Sequence, residues 1–394
     1  MKFGLVAGEA SGDALGAGLI RALRERFPDA SFEGVAGPLM VAAGCEQWEP
    51  SDSLAVMGLI EPLRHIPRLL RLRRGLVRRW KASPPDVFIG IDAPDFNLGL
   101  EKKLRKAGIR TAHYVSPSIW AWRAGRGKKV ARAADTVLCI LPFEPPLYEA
   151  LGVNAVFVGH PKASEAPDIV DVTGARASLG IDASEVVAVM PGSRSGEVQR
   201  LGSTLAEAAA LIAARRDDVQ FVTPVASPKL RPMIEAQLRT AGVRDRFVLL
   251  DGRAPAAMSA ADVVLQASGT AVLEAALLRR PAVAAYRLAP LTYWLGMHVF
   301  RIKLTHYTLP NLLTEEPLVP EYMQHDARPG PIADAVVALL QDPARREAIS
   351  QRFDRLRQEL APDADPRAAE AVMALARLYR GNSRHACSRH HCLN

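Results

Sequence analysis

Lys2-Phe-Gly-Leu-Val-Ala-Gly-Glu-Ala-Ser-Gly-Asp13 opens the chain, and its reading decides the fold class. An apolar run breaks at a glycine-bounded polar loop. Ala14-Leu-Gly-Ala-Gly-Leu-Ile-Arg-Ala-Leu-Arg24 then follows with helical period. Strand, loop and helix in that order begin a parallel α/β sheet. Gly8 and Gly12 permit a sharp turn and close approach of a ligand. Ser11 or Asp13 can cap the helix, whose first N–H groups favour an anion. Neither the GxGxxG nor the GxxxxGK[ST] spacing is present, so neither a dinucleotide site nor a P-loop follows.

The same strand-loop-helix unit recurs along the chain. Strands are expected at Ser31-Phe-Glu-Gly-Val-Ala-Gly37, Asp86-Val-Phe-Ile-Gly-Ile-Asp92, Ile109-Arg-Thr-Ala-His-Tyr-Val115, Thr136-Val-Leu-Cys-Ile-Leu141 and Ala155-Val-Phe-Val-Gly-His160. Prolines and scattered acids from Pro161 to Gly174 read as an interdomain linker. A second series starts at Glu185-Val-Val-Ala-Val-Met190 and continues through Val219, Phe247, Asp262 and Ala282. Two doubly wound Rossmann-like domains facing a cleft are therefore expected. The expected boundaries are 1–165, 166–345, C-terminal helices over 346–380 and a disordered tail over 381–394. That tail carries His385, Cys387, His390, His391 and Cys392, but in no closed zinc spacing.

Length and composition agree with this reading. A chain of 394 residues exceeds one ordinary core, and 49% apolar with 23% charged residues is usual for a folded protein. The net charge of +8 points to an anionic partner: nucleic acid, a membrane surface or a phosphorylated ligand. Four cysteines make no disulfide framework, which fits a reducing compartment. No apolar run is long enough to span a bilayer, and Glu9 and Asp13 interrupt the start too early for a signal peptide.

One segment is strongly basic. Between Glu61 and Asp86 no acid occurs. On a helical wheel Leu69, Leu72, Leu76, Val77 and Trp80 share one face, while Arg71, Arg74, Arg78 and Lys81 lie opposite and Arg73 is the exception. Such a helix either buries its apolar face in the core or lies on an anionic membrane with Leu and Trp in the interface. Nucleic acid is disfavoured because the interleaved aromatics of a base-stacking surface are missing.

Ligands of doubly wound sheets collect at the carboxyl ends of strands. There Asp92, Asp95 and Asn97 follow an apolar strand, and two close carboxylates can diverge in pKa so that one serves as general base; Asp95 can equally cap the next helix. In the second half, Gly192-Ser193-Arg194-Ser-Gly196 offers N–H groups, hydroxyls and one guanidinium, a set suited to a pyrophosphate. Ser268-Gly269-Thr270 repeats the pattern, and Glu274 one turn later can accept ribose hydroxyls. Together these loops favour a nucleoside diphosphate. Trp120, Trp122, Arg123 and Arg126 suit either rim packing or a sugar and phosphate contact. His160 can face the cleft or a hinge, and Asn311 can hydrogen-bond a base or sugar.

Several of these stretches, in order, resemble the lipid-A-disaccharide synthases. They are Val6-Ala-Gly-Glu-Ala-Ser-Gly-Asp13, Gly34-Val-Ala-Gly-Pro38, Leu54-Ala-Val-Met-Gly58, Gly90-Ile-Asp-Ala-Pro-Asp-Phe-Asn97 and His113-Tyr-Val-Ser-Pro-Ser-Ile-Trp-Ala-Trp122. Leu141-Pro-Phe-Glu144, Pro191-Gly-Ser-Arg194, Ala267-Ser-Gly-Thr270 and Leu309-Pro-Asn-Leu-Leu313 continue the series. The resemblance implies an inverting glycosyltransferase of the GT-B fold that needs no metal or other cofactor. It implies C-terminal helices packed back on the first domain or exchanged with a partner chain in a homodimer.

The reaction so implied joins UDP-2,3-diacylglucosamine to 2,3-diacylglucosamine 1-phosphate (lipid X) by a β-1,6 bond and releases UDP, with no nucleic acid involved. Its setting would be the cytoplasmic side of the inner membrane of Gram-negative bacteria, with the protein peripherally attached. By the same resemblance Asp92 is the general base, and Arg194, Glu274 and Asn311 lie at the UDP donor, which Ser193, Ser268, Gly269 and Thr270 are expected to bind from their loops. Glu9, Ser11, Asp13, Asp95, Asn97, Trp120 and Trp122 lie on the acceptor side. Leu69, Leu72, Arg74, Leu76, Arg78 and Trp80 meet the membrane. Lys162-Ala-Ser-Glu165 departs from the family pattern after Gly-His-Pro, which bears on the local hinge. The alternatives are a GT-B-fold nucleotide-sugar epimerase, which needs no membrane surface, and a basic non-enzymatic scaffold, which leaves Asp92 and Arg194 unexplained.

Overall fold

The computed structural model describes residues 1–54, 61–117, 119–120, 124–289 and 305–388, with the backbone alone at 61–65, 124 and 378–388. The chain divides into two compact units, Met1–Ser164 with Leu360–Asn394, and Glu165–Glu359.

The first unit is a parallel sheet of β1 (Lys2–Ala7), β2 (Ser31–Ala36), β3 (Cys45–Pro50), β4 (Val87–Ile91), β5 (Arg110–Tyr114), β6 (Thr136–Cys139) and β7 (Asn154–Phe157). Their order is β3-β2-β1-β4-β5-β6-β7. Both faces are covered, so the central strands are apolar throughout: Val87, Phe88, Ile89 and Ile91 are fully buried. The winding reverses between β1 and β4, where loops turn to opposite faces and leave a crevice. Strand β3 escapes a reading of apolar runs because Cys-Glu-Gln-Trp-Glu-Pro is polar and lies at the sheet edge.

On one face of this sheet the first helix (Ala10–Arg26) and the last (Ala364–Ser388) share a core in which Leu19, Leu23, Ala368, Ala369 and Val372 are buried together. Arg26 pairs with Glu370 at 3.0 Å across them. The last helix thus packs on the first unit within its own chain. The preceding helix (Pro343–Leu360) belongs with the second unit, where Asp354 pairs with Arg279 at 3.2 Å. The last helix runs on to Ser388, so the expected tail starts with helical backbone, and 389–394 lie outside the described residues.

The second unit holds β8 (Glu185–Met190), β9 (Val219–Val225), β10 (Phe247–Asp251), β11 (Val263–Ala267), β12 (Ala282–Tyr286) and β13 (Glu321–Met323), all parallel. The order β10-β9-β8-β11-β12-β13 places its reversal between β8 and β11. No helix among the described residues is long and apolar enough to cross a membrane.

Candidate active site

The switch point of the first unit brings together two stretches that the sequence offers separately. Asp92 and Ala93, at the tip of β4, both have left-handed backbone, with φ of 50° and 43°. Each such residue with a Cβ costs about 1–2 kcal/mol, a strain that persists where the surroundings enforce it. Enforcement comes from both sides. The Asp92 N–H donates to Tyr114 O at 2.8 Å, and the Asn97 amide nitrogen donates to Asp92 O at 2.8 Å. The N–H groups of Phe96 and Asn97 donate to Ala93 O, and Pro94 starts the helix Pro94–Arg105. The sequence Asp-Ala-Pro-Asp-Phe-Asn therefore folds as an elbow that leaves Asp92 half-buried beside the β1 loop. A Cβ on Gly8 would lie 2.8 Å from Ala93 Cβ, so glycine there lets the two loops touch.

Among the acceptor-side residues, Glu9 and Ser11 are exposed at the start of the first helix, and Glu9 is its N-cap without a side-chain bond. Asp13 has a different job from the one expected. It is buried and accepts from the N–H groups of Gly37, Leu39 and Met40 at 2.9–3.0 Å, so it caps the following helix (Pro38–Ala42) instead of its own. Three N–H donors satisfy its buried carboxylate. Asn97 is likewise turned inward, with its amide nitrogen also 3.2 Å from Val6 O and Ile91 O. Asp95 is 90% exposed and pairs with Arg126 at 3.0 Å. Trp120 is half-buried and meets Phe143 edge-on at 5.5 Å. Trp122 and Arg123 lie outside the described residues.

Sequence reasoning gives Glu144 no role, yet it lies at the same edge, buried in the turn after β6. Burial pushes its carboxyl up to about 7, offset in part by hydrogen bonds from Ser116 and the Leu141 amide. His160 is buried too and is lowered to about 4, first by burial and then by Lys162.

The basic helix (Glu61–Ala82) needs correction. Leu76 and Trp80 are not available to a membrane: Trp80 is fully buried against Phe88, with ring centroids 4.9 Å apart, and its indole N–H donates to Glu33 at 3.0 Å. Leu69 and Leu72 are half-buried and pack on the same core cluster. Among the described side chains of this helix, the large apolar ones left to solvent are Ile66 and Leu70, flanked by exposed Arg68, Arg71, Arg74 and Arg78. Beside this helix a cavity of about 320 Å³ is lined by Glu49, Pro50, Asp52, Ser53, Arg68 and Leu72.

In the second unit the two hydroxyl-rich loops leave neighbouring strands, since Met190 pairs with Gln266 across β8 and β11. Both loops therefore meet at that unit's switch point. Arg194 is 84% exposed and makes a 3.4 Å contact with Glu197. The Glu197 carboxylate accepts from the Ser193 and Arg194 N–H groups at 3.1 and 3.3 Å, which starts the helix Ser195–Ala213. Gly269 and Thr270 are exposed, and Ser268 and Glu274 are half-buried around the start of the helix Thr270–Leu277. Asn311 does not reach toward this edge as a free amide. It is buried, donates to Val319 O at 2.7 Å and Glu321 at 3.0 Å, and accepts from the Leu318 and Val319 N–H groups. It is a loop fastener.

Comparison with known proteins places nearly the whole chain in a family. Residues 3–374 match the Lipid-A-disaccharide synthetase family. The lipid-A-disaccharide synthase of Alkalilimnicola ehrlichii is 51% identical over 379 residues, covering 95% of this chain and 99% of that protein. That of Chromohalobacter salexigens is 48% identical, with 95% and 97% covered. Among solved structures, a putative UDP-N-acetylglucosamine 2-epimerase from Listeria monocytogenes aligns with a TM-score of 0.64 at 14% identity, covering 96% of each chain. A glycosyltransferase from Rickettsia africae aligns with a TM-score of 0.59 at 10% identity, covering 96% of this chain and 98% of that one. These structural likenesses establish a GT-B-like fold and do not choose between epimerase and transferase, whereas the sequence relatives do: the chain belongs to the lipid-A-disaccharide synthase family.

Proposed function

We propose that Asp92 is the general base of this family's reaction in the chain. The activity is that of the lipid-A-disaccharide synthases, the condensation of UDP-2,3-diacylglucosamine with 2,3-diacylglucosamine 1-phosphate to the β-1,6-linked disaccharide and UDP. Asp92 takes the proton of the acceptor 6-hydroxyl as that oxygen bonds to the donor's anomeric carbon. The bond from that carbon to the diphosphate breaks on the opposite face, and UDP leaves with the electron pair. The configuration inverts, and one base suffices.

The observation that carries this reading is the strained elbow, which presents a carboxylate at the switch-point tip against the Gly8 loop that leads to the exposed Glu9 and Ser11. In the second unit, the exposed Arg194 guanidinium neutralises the departing diphosphate. Ser193, Ser268, Gly269 and Thr270 supply hydroxyl and amide donors, and Glu274 accepts from the ribose. The cavity beside the basic helix suits an acyl chain at its Pro50 and Leu72 wall. Ile66 and Leu70, set among arginines, attach the protein peripherally to the anionic inner face of the inner membrane. A homodimer would exchange the last helix, placing its contact with the first helix between chains.

The test is Asp92→Asn. Turnover of the two monosaccharide lipids should fall by about 10²- to 10⁴-fold, with circular dichroism and urea midpoint unchanged. Normal turnover would overturn the assignment.

A further inference from the structure

Beneath the elbow lies a buried polar ladder that a general-base reading does not use. Asn97 and Glu101 stand one turn apart on the inner face of the helix Pro94–Arg105, and both are 0% exposed. His113, on β5 and also 0% exposed, brings Nδ1 to 2.7 Å from Glu101 Oε1. The pair meets over β4, the sheet strand next to β5. Gly90, the register partner of His113, has no Cβ, and Glu101 Oε1 occupies the place where one would stand. Burial pushes the Glu101 carboxyl up, and the contact with His113 draws it back in part.

The ladder carries an energetic anomaly. Among the described residues Asn97 Oδ1, Glu101 Oε2 and His113 Nε2 have no hydrogen-bond partner. A buried polar atom without a partner costs about 1–3 kcal/mol, and an apolar layer between helix and sheet would avoid that cost. The expense falls directly under two left-handed residues, at the only carboxylate the reaction needs. The Asn97 amide nitrogen also gathers three carbonyls, those of Val6, Ile91 and Asp92, which are the tips of both strands at the switch point.

We propose that Asn97 is a positioning residue for Asp92 and that the Glu101–His113 pair holds Asn97's helix turn at the depth this requires. The inference rests on the reading of Asp92 as general base. Asn97 fixes the Asp92 peptide plane through its carbonyl, and that plane sets the direction of the carboxylate. Glu101 fills the space over Gly90 and fastens the helix to β5 through His113, so the elbow cannot relax toward ordinary backbone. Positioning acts on the chemical step and not on the affinity for either lipid, because none of the three side chains reaches solvent.

The experiment compares Asn97→Asp, Glu101→Gln and Asp92→Asn in the full-length protein by UDP release, with thermal melts run in parallel. Asn97→Asp keeps the shape but replaces the donor by an acceptor facing three carbonyls. Its kcat should fall at least 100-fold, with the KM for each lipid substrate within about threefold of wild type. Glu101→Gln, which decides the matter if Asn97→Asp does not fold, should lower kcat about tenfold with the same unchanged KM. A folded variant of either kind with wild-type kcat, or one whose loss lies in KM, overturns the positioning role. If Asp92→Asn itself retains turnover, the base assignment has failed and the positioning role fails with it. If Asp92→Asn is inactive while both ladder variants turn over normally, only the positioning role has failed.

Discussion

The Arg73 guanidinium lies over the Phe96 ring, 4.9 Å from its centroid, and ties the basic helix to the aspartate elbow. The same side chain donates to Asp95 O at 3.0 Å. Arg73 is the arginine that falls on the wrong side of the helical wheel, and this contact explains why. Burial lowers its pKa, yet a guanidinium stays charged and can stack and donate at once.

Replacing Arg73 by methionine keeps the stem and removes both interactions. Unfolding free energy in urea should drop by about 2 kcal/mol, from a charge-assisted hydrogen bond and a ring contact. Arg73→Lys should recover less than half of this, since an ammonium cannot lie flat on the ring. Full recovery would show that charge alone matters.

The basic helix divides into a stabilising part and a surface part. Trp80→Ala should cost about 3–5 kcal/mol of stability and leave vesicle binding per folded molecule unchanged. Ile66→Glu with Leu70→Glu should do the reverse, abolishing sedimentation with vesicles containing anionic lipid while the melting temperature stays within a degree or two. Binding that survives the double change would remove this face from membrane attachment.

Arg194→Ala should lower kcat/KM for the UDP donor by about 10²- to 10³-fold, the usual cost of one donor to developing charge. Its side chain is 84% exposed, so urea stability should move by less than about 0.5 kcal/mol. A large stability loss would mean that Arg194 belongs to the helix start more than to the nucleotide.

Glu144 predicts a pH signature. Its carboxyl holds a proton up to about 7 in the folded protein, against 4.5 for the ordinary group. Between those values the folded state binds more protons than the unfolded one, so this stability is full below 4.5 and is lost as pH rises to about 7. His160, lowered from 6.5 to about 4, acts in the opposite sense, its contribution being lost as pH falls through that window. The stability of wild type relative to Glu144→Gln should therefore fall by about 2 kcal/mol from pH 5 to pH 8. A difference that does not change with pH would refute the raised pKa.

The sheets are legible in the sequence because a doubly covered parallel strand is an uninterrupted apolar run, as Val87-Phe-Ile-Gly-Ile91 shows, and loops follow at known ends. Edge strands β3 and β13 lack that signal, one being polar and the other three residues long. Polar residues are harder to read. Asp13, Asn97 and Asn311 have the types and places of ligand contacts, yet each satisfies buried backbone groups, and nothing local in a sequence separates a donor aimed at a substrate from one aimed at a carbonyl. The face of Leu76 and Trp80 poses the same problem, since a helix buried in protein and one buried in lipid carry the same stripe. Glu101 and His113 pair across a helix and a strand, which no spacing announces.

The chain leaves the first unit at Ser164 and returns to it at Leu360, with the whole second unit between. During synthesis the seven strands of the first unit therefore emerge long before its last helix. Ala368, Ala369 and Val372, which share a core with Leu19 and Leu23, follow only after the second unit. The second unit is a single uninterrupted stretch and can close as soon as it clears the ribosome. The first unit is thus completed only after the whole second unit has been made, and until its last helix follows, the apolar face around Leu19 and Leu23 lacks that cover.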